Sequence, residues 1–230
     1  MVCVKNIHFS SDGTVTLDLS DKSVLKLDAT VWDDLGHSRE KSLTESQLEI
    51  LQSESSYLKI KNKMMSFLAL REHSSYELRK KIKESLYKSK ICDFPVLIER
   101  CLLEMQELGF QNDENFTRHY VESKLSNKLQ GPYKILQDLH NRGIPNELAN
   151  SVLSELGDKE LWLRKAVDSL ELFSKKVENP NAATLSKKLY HRGFSWDTIY
   201  QALEKFQTIS KQDNGGEFNV NFEDFLNENP

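Results

Sequence analysis

One stretch of this chain recurs 50 residues further on, and that recurrence restricts the fold to a series of similar helical units. Ile135-Leu136-Gln137-Asp138-Leu139-His140-Asn141-Arg142-Gly143-Ile144 aligns with Leu185-Ser186-Lys187-Lys188-Leu189-Tyr190-His191-Arg192-Gly193-Phe194, and Leu153 then aligns with Leu203. A unit of this size cannot bury its apolar face alone, so neighbours must stack to complete a core. Stacked helices usually offer an extended surface to a partner and seldom enclose a reaction pocket. The scarcity of turn formers agrees: 9 Gly and 5 Pro in 230 residues argue against an all-β chain.

Before the helices, the first ~30 residues alternate as strands do. Val2, Val4 and Ile7 form one run, Val15, Leu17 and Leu19 a second, and Val24, Leu25 and Leu27 a third. Ser11-Asp12-Gly13 and Ser20-Asp21-Lys22-Ser23 supply the turns, which predicts a small antiparallel meander. So small a sheet must pack against helices or a partner. Thr44-Glu45-Ser46-Gln47 then reads as a capping box opening a short helix, and a longer helix is expected over about 54–71. A second capping box, Ser74-Ser75-Tyr76-Glu77, opens a helix with Leu78 and Ile82 inside. Phe94, Ile98, Cys101, Leu102, Met105 and Leu108 make the clearest 3.6-residue stripe, ended by Gly109.

The same plan continues to residue 206. Asp113 starts a helix, Gly131-Pro132 breaks the chain and starts the next, and a third spans about 146–156. A final set covers 161–176, 182–192 and 196–206, with Trp162 and Trp196 expected in its core. The expected segments are therefore 1–53 (meander and short helix), 54–110, 111–157 and 158–206 (three-helix repeats), and 207–230 (an acidic flexible tail). Phe218, Phe222 and Phe225 could let part of that tail dock.

Charge is uneven along the chain. Residues 1–56 carry 5 basic and 10 acidic side chains, residues 57–206 carry 25 and 20, and residues 207–230 carry 1 and 5. The helical centre is mildly basic between acidic ends, which suits a phosphate backbone or an acidic protein surface. Its densest cluster is Arg79, Lys80, Lys81 and Lys83 on one helix, followed by Lys88 and Lys90. This reads equally as a solvated face or as a binding patch. Arg142 and Arg192 precede glycines where a helix must end, so they complement the helix dipole, with partner contact as the second reading. Arg71, Arg118, Lys124, Lys128, Lys134, Lys187 and Lys188 complete the candidate partner contacts.

No reaction centre is legible. His8, His37, His73, His119, His140 and His191 lack metal-ligand spacing, and Cys3, Cys92 and Cys101 lack a paired motif. There is no phosphate-binding glycine loop and no nucleophile elbow, so neither an enzyme nor a cofactor is expected. No apolar run approaches the ~20 residues of a membrane span. The residues after Met1 do not resemble an export signal, and the expected compartment is the reducing cytoplasm.

Several ordered motifs resemble the RecX family of bacterial recombination regulators. They are Ala69-Leu70-Arg71-Glu72-His73-Ser74-Ser75-Tyr76-Glu77-Leu78-Arg79-Lys80-Lys81-Ile82 and then Leu108-Gly109-Phe110-Gln111-Asn112-Asp113-Glu114-Asn115-Phe116. Gly131-Pro132 with Ile135, Leu139 and Gly143-Ile144 follows, and Arg192-Gly193-Phe194 with Ile199 and Leu203 closes the series. Each motif alone is weak, but their shared order and spacing over about 54–206 are specific. Two features depart from the family: Lys88-Ser89-Lys90 stands where many relatives carry glycine, and the acidic tail has no counterpart.

The resemblance implies a mainly α fold. Three tandem three-helix repeats would form an elongated, curved array behind the small β element. It also implies a partner: the RecA recombinase, as its filament on single-stranded DNA. Members lodge in that filament and restrain strand exchange, ATP turnover and the coprotease activity of the SOS response. A monomer that binds this filament is the expected state, with single- or double-stranded DNA as a further partner. A DNA-binding helical module and a general helical scaffold stay open as alternatives.

Overall fold

The structure is a computed structural model and describes residues 2–34, 42–87, 94–127, 129–175 and 181–214. The chain is mainly helical with a small N-terminal antiparallel sheet, and it divides into two units, Met1–Asn112 and Asp113–Pro230.

In the first unit, the expected meander forms from β1 (Val2–Phe9), β2 (Thr14–Leu19) and β3 (Val24–Asp28). The Asp12 and Asp21 carboxylates close its two turns by accepting from the amide and hydroxyl of Thr14 and Ser23 respectively. The sequence did not disclose α1 (Ala29–Asp34), which buries Trp32, or the two-residue β4 (Ser42–Leu43), which pairs with Val2 and Cys3. The strand order is β3-β2-β1-β4.

One helix, α2 (Glu45–Leu68), stands where two were expected, and it runs through the anticipated boundary at 53/54. Ser53-Glu54-Ser55-Ser56 looks like a break, yet each polar group after Ser53 finds a partner that leaves the helix intact. Ser56 Oγ donates to the Gln52 carbonyl, Glu54 pairs with Arg100, and Ser55 Oγ accepts from the Lys26 amide of β3. The Thr44–Gln47 capping box starts it as anticipated, with both reciprocal bonds present. Its 24 residues reach ~36 Å, enough to serve two cores. Leu51 closes the core under the sheet with Val15, Leu17 and Leu27. Ile60 and Met64 enter a second core with α3 (Ser75–Leu86) and α4 (Phe94–Glu107), contributed by Leu78, Ile82, Ile98, Cys101 and Leu102. Leu108, read as the end of the α4 stripe, lies past the helix and is exposed.

In the second unit, α5 (Asp113–Asn127), α6 (Pro132–His140) and α7 (Asn146–Leu156) bury Phe116, Val121, Ile135, Leu139, Val152 and Leu153. The next set is α8 (Lys159–Ser174), α9 (Ala182–His191) and α10 (Trp196–Asn214), with Leu170, Leu185, Leu189, Phe194, Ile199 and Leu203 inside. Two expectations are corrected. Trp162 sits in the α5–α7 core and not in that of its own set, its indole N–H donating to the Gly157 carbonyl at 3.2 Å. α10 continues through Asn214, so the first residues assigned to a tail are helical; residues 215–230, with their three phenylalanines, lie outside the described residues.

The two sets meet backbone to backbone. The Gly131 amide donates to the Arg192 carbonyl at 2.8 Å, and the Tyr133 amide donates to the Gly193 carbonyl at 3.0 Å. A Cβ on Gly131 would lie 2.3 Å from the Gly193 oxygen, and one on Gly193 would lie 2.3 Å from the Lys134 amide nitrogen. Gly193 also has φ of 85°, so strain and overlap coincide there. At Gly109 φ is 75° but the space is open. Gly109→Ala is expected to cost about 1–2 kcal/mol from backbone strain. Gly193→Ala should cost clearly more in urea unfolding, and equal losses would contradict the close approach.

His73 gives the first unit a pH dependence. It is 3% exposed, its Nδ1 pairs with the Arg71 carbonyl at 2.8 Å, and its Nε2 is buried with no partner among the described residues. Burial, with Arg71 and Lys81 nearby and Glu77 opposing them, holds its pKa below the ordinary 6.5. The unfolded chain therefore binds the proton first. This part of the stability is complete above pH 6.5 and is lost as pH falls below it. The urea midpoint of the first unit, followed by Trp32 fluorescence, should drop between pH 7.5 and 5.5, and less so in His73→Asn. Parallel curves for the two proteins would contradict this.

Candidate functional site

Most of the cations singled out above belong to the scaffold as well as to the surface. On α3, Ser74 Oγ caps the helix, and Leu78 and Ile82 turn fully inward, which leaves the cations on the outer side. Arg79 holds Glu99 of α4 through two bonds of 2.7 and 2.9 Å and reaches Ser75 Oγ at 3.1 Å. That fork keeps the Glu99 carboxyl below the usual carboxylate range. Arg71 pairs with Glu77 at 3.0 Å, and the Lys81 ammonium lies 5.0 Å from the centre of the Phe67 ring. Lys80 and Lys83 remain exposed. Lys88 and Lys90 lie outside the described residues, as does Lys128.

In the second unit, Arg118 forms a two-bond pair with Glu155 at 2.8 and 2.9 Å, tying α5 to α7. Lys124 and Arg142 flank the Tyr120 ring at 4.9 and 4.8 Å. Asp138 gathers Lys124 at 3.6 Å, Lys134 at 3.7 Å and the Tyr120 hydroxyl at 3.2 Å. Lys188 and Arg192 lie against Phe173 at 5.6 and 5.1 Å, and Arg192 also donates to the Leu129 carbonyl at 3.1 Å. Lys187 is exposed. Gly143 and Gly193 have φ of 74° and 85°, the left-handed caps that the sequence requires after each arginine.

The sequence reading passed over two features of this unit. Lys165 is 8% exposed, and its ammonium donates to the Leu125 carbonyl in the last turn of α5 at 2.5 Å. Burial lowers its pKa, while Asp168 acts in the opposite direction. Only the partner carbonyl, 40 residues away, distinguishes this lysine from a surface one. The second feature is a groove of about 650 Å³ beside the Gly131–Gly193 contact, bordered by Tyr133, Lys134, Tyr190, His191 and Trp196. Tyr190 stacks on Trp196 with ring centres 4.9 Å apart, and Tyr133 and Tyr190 are more than half exposed. Their signal was legible: both lie off the stripes formed by Ile135 and Leu139 and by Leu185 and Leu189.

Among the described residues, no three His, Cys, Asp or Glu side chains cluster at metal-binding distance, and no helix is long and apolar enough to cross a membrane. Burial pushes the Cys101 thiol up to about 11, which keeps it protonated near neutrality.

Comparison with known proteins places these features. The family model described as RecX, second three-helix domain, matches residues 112–153, which hold α5, α6 and most of α7. Regulatory protein RecX of Prosthecochloris aestuarii is 29% identical over 156 residues, covering 68% of this chain and 99% of that protein. Its namesake in Clostridioides difficile is 22% identical over 207 residues, covering 88% of this chain and 94% of that one. A crystal structure of regulatory protein RecX shares the fold, with a TM-score of 0.70 and 19% identity over 89% of this chain and 100% of that chain.

Proposed function

We propose that the chain is a RecX-type regulatory protein, as its likeness to those proteins suggests, and that it binds the RecA recombinase in its filament on single-stranded DNA and restrains it. The observation that carries this reading is coverage: the likeness spans 99% of a protein named for regulation, and not one shared module. Restraint would act on strand exchange, ATP hydrolysis and SOS coprotease activity in the cytoplasm. The chain would work by occupying a surface, with no reaction of its own. Repeated helical sets allow several modest contacts to fall on successive protomers, and linked contacts of that kind yield high avidity.

Lys80 and Lys83 are the cations we assign first to that contact, with Lys187 as their counterpart in the second unit. All three are exposed, whereas Arg79, Arg118 and Arg192 hold structural partners. A second reading, direct contact with single-stranded DNA, is favoured by the aromatic groove, because exposed rings beside Lys134 and His191 can stack on bases.

Co-sedimentation with RecA filaments tests the main reading. The wild-type chain should pellet with filaments, and Lys80→Glu with Lys83→Glu should weaken this by about tenfold (~1.4 kcal/mol) without lowering helicity. Failure of the wild-type chain to pellet would overturn it. Binding to bare single strands as tightly as to filaments, with a steep salt dependence, would support the second reading instead.

A further inference from the structure

The first unit carries a groove that neither reading above uses. α2 exposes Lys59 and Lys63 one turn apart, while Ile60 and Met64 beside them in sequence are buried. The edge strand β3 runs beside this stretch and is held there by the bond from the Lys26 amide to Ser55 Oγ at 3.1 Å. Between β3, α2 and the end of α3 lies a groove of about 660 Å³. Val24, Leu58 and Leu86 give it aliphatic surface, and Lys26, Lys59 and Lys63 give it charge; among the described residues, no acidic side chain lines it.

The charge there is only partly neutralised locally. Lys26 meets Asp12 at 3.2 Å, but among the described residues Lys59 and Lys63 form no ion pair. The Lys63 ammonium lies 5.1 Å from the centre of the Phe67 ring, and Lys81 approaches the same ring at 5.0 Å from α3. Two like charges thus share one aromatic ring, and one of them, Lys63, lines the groove. An arriving anion would relieve their repulsion.

The lining decides which anion fits. It offers no aromatic platform for a base and no arginine fork for a phosphate. Lysine point charges beside aliphatic side chains suit carboxylates alternating with aliphatic residues. Residues one helical turn apart have Cβ atoms ~5–6 Å from each other. Every second residue of an extended peptide repeats at ~6.6 Å, so acids two positions apart can face Lys59 and Lys63 together.

We propose that this groove is a docking site for an extended acidic segment of a partner protein, with Asp or Glu at alternate positions and aliphatic residues between them. Lys59 and Lys63 bind the carboxylates, and Val24 and Leu86 receive the aliphatic side chains. The proposal stands apart from the assignment of Lys80 and Lys83.

The test is fluorescence anisotropy of a labelled Glu-Leu-Glu-Leu-Glu peptide titrated with the full chain at about 0.1 M salt, where exposed charges beyond ~10 Å are largely screened. A Gln-Leu-Gln-Leu-Gln peptide and an oligothymidine of equal charge serve as competitors. The Glu peptide should bind, and Lys59→Glu with Lys63→Glu should weaken it by about tenfold, as expected when two ion pairs become repulsions. The neutral pair Lys59→Gln with Lys63→Gln should weaken it less, and it keeps the test valid if charge reversal impairs folding. No binding of the Glu peptide, equal binding of the Gln peptide, or an affinity that both double variants leave unchanged would overturn the proposal. Displacement by oligothymidine at lower concentration than by the Glu peptide would overturn it in favour of a nucleic-acid site. Filament co-sedimentation of the same variants separates this outcome from any failure of the regulatory reading.

Discussion

The second unit depends on two glycine backbones meeting without side chains between them. Gly131 and Tyr133 hand their amide protons to the carbonyls of Arg192 and Gly193, which fixes the start of α6 against the end of α9. That register brings the Arg192 guanidinium to the Leu129 carbonyl and onto the Phe173 ring. It also brings Tyr133 beside Tyr190 and Trp196, so the aromatic groove follows from the same contact. Trp162 and Lys165 secure the junction at another point, one by filling the preceding core and the other by capping α5. Cations at helix C-termini are favourable because they answer the unpaired carbonyls and the negative end of the dipole.

Two demands share the cations of this chain. Arg79 and Arg118 use their planar forks to join helices across a repeat, which a lysine could not do with two bonds. Lysines at neighbouring positions, such as Lys80 and Lys83, stay in solvent. The two-bond joints are therefore made by arginine, while lysine supplies both single contacts, as at Lys124 and Lys165, and exposed charge.

Local signals carried much of the architecture. The Thr44–Gln47 box, the glycine caps at 109, 143 and 193, and the apolar stripes of α3, α4 and α6 are readable because each depends on residues within a turn or two. Features that depend on distant partners were not readable. Ser53-Glu54-Ser55-Ser56 stays helical because β3 and Arg100 donate to its polar groups and Gln52 accepts from them, and Arg100 lies 46 residues beyond Glu54. Trp162 enters the preceding core because α8 approaches it, which helical periodicity alone does not encode. For the candidate surface, charge and exposure nominated the cations, but the partners that immobilise Arg79, Arg118 and Arg192 lie 20, 37 and 63 residues away.

The proposed role is that of a docking surface for a recombinase filament. The rate of ATP hydrolysis by RecA on single-stranded DNA, measured as this chain is titrated into preformed filaments, reports on that directly. A rate that falls and then saturates is the predicted result. A flat rate at concentrations where the chain is in excess over recombinase would contradict it.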